Sequence, residues 1–445
     1  MFFANKADHK QLFVLAIPMI LSNITVPLLG LVDTAVIGHL DHAYYLGGST
    51  VGAMVITCIT WLCGFLRMTT TGLAAQAFGQ QNASQNLLVL LRGLLVALII
   101  GGSFILLQTP YISGAIYLSG GSDQVQFYAQ QYSEIRIWGL PAALANLVLL
   151  GWLLGNHKAK MVMWILIFTN LVNLVLDVVF VLWLDWQVQG VAYATLIAEY
   201  ASILLSLTLI FHHFKPIIKA SVNDIKSKLL DKLALVSYFK LNRDILIRTL
   251  CLQSCFVFIT FQGARLGDNV VAANAILMNF LLFISFGLDG IANAAEVMVG
   301  KAKGENNLKK LQVVFKVSLF WTLIFALVYS LFFIFWGPSI VRLISDIEAV
   351  VLYADQYLFW IMLLPLAACW SYLFDGIYIG LTQAKAMRNS MILSTFGCFF
   401  PLWWLLQSYE NNGLWFAFIV FMIARGLTLA WHFTRHIWHA KALES

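Results

Sequence analysis

Asp33 and Asp177 are carboxylic acids set in stretches otherwise dominated by Leu, Val, Ile and Phe. Ionisable groups at membrane depth are costly and rarely face lipid, so each demands a chemical account. Neither stretch contains a lysine or arginine. Desolvation favours the neutral form of a carboxyl that lacks a cation partner, which lets it load and release a proton. Two carboxylates with amide oxygens also make a donor set for a hard cation such as Na+. Asn170, Asn173 and Asp177 stand at i, i+3 and i+7, on one helix face. Thr195 offers a hydroxyl to the same cluster, and Glu199 either completes it or pairs with an arginine. The competing reading of these groups is polar glue between helices.

Other polar residues recur at similar depth. Asp289 and Glu296 are seven apart and share a face, as ready for a structural role as for a functional one. Asp375, in YLFDGIYIG, has glycine neighbours that admit a second helix closely. Arg67, Arg92, Arg136, Arg248 and Arg425 fall near the ends of apolar runs, from which long side chains reach water. Pro18 and Pro27 each remove a backbone hydrogen bond from one helix. They make either a static kink or a hinge that moves with the charge on Asp33. The six cysteines lie inside apolar runs and read as small core residues. No metal is required by the chemistry, although Na+ suits the Asp33/Asp177 pair.

The elements that must position these groups follow from composition. Of 445 residues, 61% are hydrophobic and 11% charged, against about 25% charged in a soluble domain. Apolar runs long enough to cross a bilayer recur throughout. They predict an all-α membrane protein with twelve transmembrane helices, at 12–37, 46–66, 87–108, 136–155, 161–184 and 189–212, then 246–266, 270–299, 312–336, 350–373, 387–407 and 413–434. Lys and Arg concentrate in alternate connections, while the opposite side holds only Arg136, Arg265 and Arg342. This asymmetry places both termini in the cytoplasm. It also spends the net charge of +6 on topology, and nucleic acid is excluded as a partner. The basic stretch 214–244 separates residues 1–213 from 245–445 and reads as a cytoplasmic linker, with membrane lipid as a potential contact.

A shift of 225 residues carries Gly79 and Asn82 onto Gly304 and Asn307, and Tyr132 onto Tyr357. It also carries Gly151, Gly155, Ala159 and Lys160 onto Gly376, Gly380, Ala384 and Lys385. The two halves thus read as parallel repeats.

At this point a family resemblance emerges. IPMILSNITVPLLGLVDTAVIGHL resembles the opening of multidrug-and-toxin-extrusion (MATE) transporters. AAQAFGQQN and YSEIRIWGLP are similar to their Q-x-x-G and Y-x-x-I-R-x-x-G-x-P segments. GLDGIANAAEVMVGKAKG and LFDGIYIGLTQA look like the DinF-type branch. The resemblance implies two six-helix lobes around a V-shaped central cleft, alternating access, and export of small hydrophobic or cationic substrates against H+ or Na+. It assigns ion coupling to Asp33, Asn173, Asp177 and Thr195, bending of the first helix to Pro18, and to Asp375 the role of an aspartate implicated in another branch. One departure stands out: CLQSCFVFITFQG lacks the glutamate other branches carry there, and Asp33 and Asp177 shift onto Phe258 and Leu402. Coupling is therefore expected in the first lobe.

The reading is a monomeric inner-membrane antiporter, H+ favoured over Na+, with no cofactor. A lipid or lipid-linked oligosaccharide flippase is the nearer alternative, disfavoured because the charges at depth read as mostly acidic. A membrane-embedded enzyme would need a catalytic constellation, and no HExxH or nucleophile elbow is present.

Overall fold

The hydrocarbon core has no water to satisfy backbone N–H and C=O groups, so each apolar run closes its hydrogen bonds internally as a helix. The computed structural model describes residues 5–38 and 42–438, with the side chains of 26–35, 38, 43 and 216–227 outside that description. The first half comprises α1 (Lys6–Gly38), α2 (Ala43–Leu62), α3 (Phe65–Gly79), α4 (Ala83–Leu106), α5 (Gln108–Ser119), α6 (Asp123–Arg136), α7 (Leu140–Gly155), α8 (Ala159–Asp177) and α9 (Gln187–Lys228). The second comprises α10 (Lys232–Leu266), α11 (Asp268–Gly304), α12 (Leu308–Ile344), α13 (Glu348–Gly380), α14 (Ala384–Ile392), α15 (Phe400–Leu405) and α16 (Glu410–Phe433).

Among the described residues, ten helical segments are long and apolar enough to span a membrane. The other two expected spans are α1 and the α14–α15 segment, which a π-helical stretch at Leu393–Phe399 interrupts. The stretch 214–244 is helical: it is made of the end of α9 and the start of α10. The short α5 lies where no element was expected, and Tyr111 Oη fastens it to the Val55 carbonyl at 2.8 Å.

The repeat is carried by backbone conformation more than by residue identity. Outside glycine a positive φ is uncommon. Of the seven such residues described, six form pairs under the shift of 225: Gln81 and Asn306, His157 and Thr382, Asp185 and Glu410. Asn82 caps α4 by accepting from the Gln85 N–H at 3.0 Å, and Asn307 caps α12 by accepting from Lys310 N–H at the same distance. A Cβ on Gly155 would press on the Thr71 carbonyl oxygen, and one on Gly380 would press on that of Glu296, Thr71's own repeat partner.

The chain divides into two units, Leu21–Tyr238 and Met1–Ile20 with Phe239–Ser445. The start of α1 belongs with the second unit. Trp321 Nε1 donates to His9 Nδ1 at 2.9 Å, Phe13 packs edge-on to Trp321, and Ile20 lies against Gly290. The end of α9 and the first residues of α10 belong with the first unit, where the Arg92 guanidinium donates to the Lys228 and Leu229 carbonyls. Each unit is therefore completed by the beginning of a helix whose remainder lies in the other.

Overpacking a close helix contact costs roughly 1–3 kcal/mol. Gly155→Leu and Gly380→Leu should each lower the melting temperature in detergent. Gly102→Leu, where nothing lies within 4 Å of the added Cβ, should leave it unchanged. Equal melting of all three would contradict the packing.

Candidate functional site

The polar face of α8 turns inward and its apolar face outward. Asn173 and Asp177 are 1% and 0% exposed, while Leu171 and Val175 are 57% and 49% exposed. The i, i+3, i+7 spacing thus does what one helix face requires. Opposite lies α9, where Thr195 Oγ1 donates to the Val191 carbonyl at 3.0 Å and accepts from Asn173 Nδ2 at 3.1 Å. This fixes the orientation of the Asn173 amide. Its Oδ1 is buried with no hydrogen-bond partner among the described residues. Asn170 Nδ2 reaches the Thr25 carbonyl of α1 at 3.3 Å.

Asp177 is the last residue of α8. A π-helical turn, Val178–Trp183, follows it directly. Such turns widen the backbone and occur often at functional sites. Val181, Val188, Val191 and Ala192 are buried in one apolar cluster beside it. The arrangement offers amide, hydroxyl and carboxyl oxygens at a secluded position, a donor set for a proton or a hard monovalent cation. The side chains of Asp33 and Pro27 lie outside the described residues. Pro18 is buried.

The other candidate acids take different places. Glu199 forms a bidentate pair with Arg136, both bonds at 2.8 Å, and its carbonyl accepts from Asn146 Nδ2. Gly139 makes room for this pair: a Cβ there would lie 2.5 Å from Glu199 Oε2 and 2.7 Å from Arg136 Nη1. The YSEIRIWGLP segment is thus a clamp, with Tyr132 packed on Gly52, Arg136 paired and Gly139 admitting both partners. In the second unit Asp375 Oδ2 accepts from both Arg248 and Arg425, the latter at 2.7 Å. Glu296 is buried and Asp289 partly buried on α11, with Ser285 and Tyr372 hydroxyls bonded to each other nearby.

These pairs overturn one expectation. Arg92, Arg136, Arg248 and Arg425 do not reach for water from span ends; they are 6%, 7%, 6% and 4% exposed. Each finds acceptors inside the protein, carbonyls for Arg92 and carboxylates for the rest. The charges at depth are therefore of both signs. The signal that could have found them is the one that singled out the acids, the cost of a charge among apolar neighbours.

Breaking a buried pair leaves an uncompensated charge, at about 3–5 kcal/mol. Arg136→Leu should therefore lower the melting temperature markedly, and Arg136→Leu with Glu199→Leu should recover most of the loss. A double variant no more stable than the single would mean the pair is not what holds this corner.

Comparison with known proteins places this geometry. The sequence profile of the MatE family matches residues 18–179 and 245–405. DNA damage-inducible protein F of Escherichia coli (strain K12) is 45% identical, covering 98% of this chain and 94% of that protein. The probable multidrug resistance protein NorM of Synechocystis sp. is 23% identical, covering 99% and 97%. A crystal structure described as MATE in the bent conformation superposes with a TM-score of 0.85 at 19% identity, covering 96% of this chain and 95% of the other.

Proposed function

This chain belongs to the MATE family of multi-pass membrane transporters, which are not enzymes, and on that premise we propose that it exports small hydrophobic or cationic compounds by cation antiport. H+ is the favoured coupling ion and Na+ the alternative. Asp33, Asn173, Asp177 and Thr195 form the coupling site, and the protein works as an inner-membrane monomer with both termini in the cytoplasm. Residues 1–213 and 245–445 act as its two lobes, with 214–244 joining them.

The observation that carries this reading is the inward face of α8: a fully buried Asp177, one turn from an Asn173 whose Oδ1 still has an acceptor position to fill. A proton or a small cation is the chemistry such a position accommodates. Glu199 and Asp375 are not proposed as coupling sites, because their oxygens are engaged by buried guanidiniums that tie helices together. Asp289 and Glu296 have no assigned part in the cycle.

Coupling to shape runs through α1. Pro18 removes the hydrogen bond to the carbonyl of Val14, so the helix ladder lacks a rung there. The passage of α1 from one unit to the other, at Ile20/Leu21, lies two residues beyond. Protonation of the Asp33/Asp177 site bends α1 at this weak point, with Pro27 as a second one, and alternates access. The similar structure is itself described as bent.

The test is efflux of a fluorescent organic cation from vesicles in which proton and sodium gradients are set independently. Wild type should respond to the proton gradient. Asp177→Asn and Asp33→Asn should each lose at least tenfold of that response, consistent with removal of a group essential to proton transfer, while melting as wild type does. A folded Asp177→Asn protein that transports normally would remove the mechanism.

One observation favours a second reading. Arg248 Nε is buried without an acceptor among the described residues, and Arg425 Nη1 is spent on the Met422 sulfur at 3.2 Å. A cargo bearing a phosphate would supply acceptors there, as a lipid-linked oligosaccharide does. Translocation of such a labelled lipid in the same vesicles would move the assignment to a flippase.

A further inference from the structure

The first turns of α10 carry two kinds of side chain on one outward face. Leu233, Val236 and Phe239 are 80%, 42% and 52% exposed, and Leu230, just before the helix, is 70% exposed. Lys232, Lys240 and Arg243 are exposed within the same arc. The opposite face is buried, through Tyr238, Asn242 and Ile245. Neither bulk water nor a hydrocarbon core suits such a face. Water disfavours the leucines and the phenylalanine, and hydrocarbon disfavours the ammonium groups. The surface of an anionic bilayer suits both, because apolar side chains enter the acyl boundary while lysines extend to the phosphates.

The mount is firm. Arg92 holds the preceding turn by its bonds to the Lys228 and Leu229 carbonyls, and Tyr238 packs beside Gly93. Asp244 accepts from Arg388 at 2.8 Å, which secures the helix further along. The charged groups around the face are few. Asp231 stands at its start, with Oδ1 accepting from the Leu233 N–H, and Arg243 donates to Asp244 while its side chain stays 58% exposed. Lys232 and Lys240 take part in no ion pair among the described residues.

This face also has a strategic position in the chain. The chain passes from one unit to the other at Tyr238/Phe239, inside it. The corresponding passage in α1 follows a proline; α10 has none. A contact here falls on the helix through which the chain connects its two units.

We propose that the Lys232–Arg243 face of α10 binds the headgroups of anionic phospholipids, and that this contact sets the rate of the transport cycle. Binding follows from charge and exposure alone; the effect on rate rests on the transport reading above. Each ammonium at an anionic surface strengthens binding about fivefold, so two lysines account for roughly a 25-fold preference.

The full chain in mild detergent is titrated with phosphatidylglycerol, phosphatidylcholine or glycerol phosphate, and retained lipid is measured by native mass spectrometry. Wild type should retain phosphatidylglycerol over phosphatidylcholine, and Lys232→Gln with Lys240→Gln should lose at least tenfold of that preference. Competition by glycerol phosphate as strong as by the whole lipid would assign the face to a soluble phosphate and overturn the lipid proposal. Retention unchanged in the double variant would overturn it as well. In vesicles, adding phosphatidylglycerol to phosphatidylcholine should speed efflux several-fold for wild type and leave the double variant unmoved. If both respond alike, the regulatory part is wrong. If neither transports anything, the transport reading fails and the retention measurement still decides the binding.

Discussion

A polar group inside this bundle has no water to turn to, and that single constraint organises the rest of the structure. Leaving a buried donor or acceptor unpaired costs more than a hydrogen bond returns when it forms. Several deep polar side chains are therefore spent on a neighbouring helix. Arg136 and Glu199 join the end of α6 to α9, and Asp375 gathers α10 and α16 around α13. Asn86 and Asn156 exchange amide bonds between α4 and the end of α7. Asn274 and Asn411 do the same between α11 and α16, with Trp415 as a third partner. Within lipid, where burying apolar surface gives little preference between one helix packing and another, such bonds select the packing.

The same constraint explains why the repeat is plainer in backbone than in sequence. What must be kept between the halves is where a helix ends, how tightly the chain turns, and where two backbones touch. Those demands fall on single positions: a left-handed residue at Gln81 and Asn306, a cap at Asn82 and Asn307, a missing Cβ at Gly155 and Gly380. Between these points any apolar side chain of suitable volume will serve, so most identities are lost. The glycine and asparagine matches visible in the sequence were thus the structurally meaningful ones.

Much of the fold was legible because hydropathy and helix length are strongly coupled in a membrane. The spans came from hydropathy and the shared face of Asn170, Asn173 and Asp177 from spacing, while Thr195 was placed in that cluster as an available hydroxyl and by the family resemblance. What was not legible shares one cause. Hydropathy locates a residue along its own helix and says nothing about what another helix brings alongside. Arg248 and Arg425 looked like span-end cations because only their distance from the run's edge was visible. Their common partner Asp375 is more than a hundred residues from Arg248 in sequence. The π-helical turn after Asp177 and the short α5 were equally hidden, since neither breaks the apolar pattern that announces a span.

The two units illustrate how one scaffold carries unlike chemistry. Three left-handed turn residues and a pair of asparagine caps correspond under one shift, yet the acids do not. Asp177 shifts onto Leu402 and Asp33 onto Phe258, an apolar pair. The second unit places its acid elsewhere, at Asp375, with a guanidinium on either side. A carboxylate so paired ties three helices together, whereas Asp177 is buried at the end of α8, one turn from the Asn173 amide. The difference extends to the helices that join the units, since α1 contains Pro18, which cannot donate a backbone hydrogen bond, and α10 contains no proline. Asp33, Asp177 and the proline-containing joining helix all fall in the first half of the sequence, so the halves differ in where polar groups and prolines are placed while sharing the conformation of their turns.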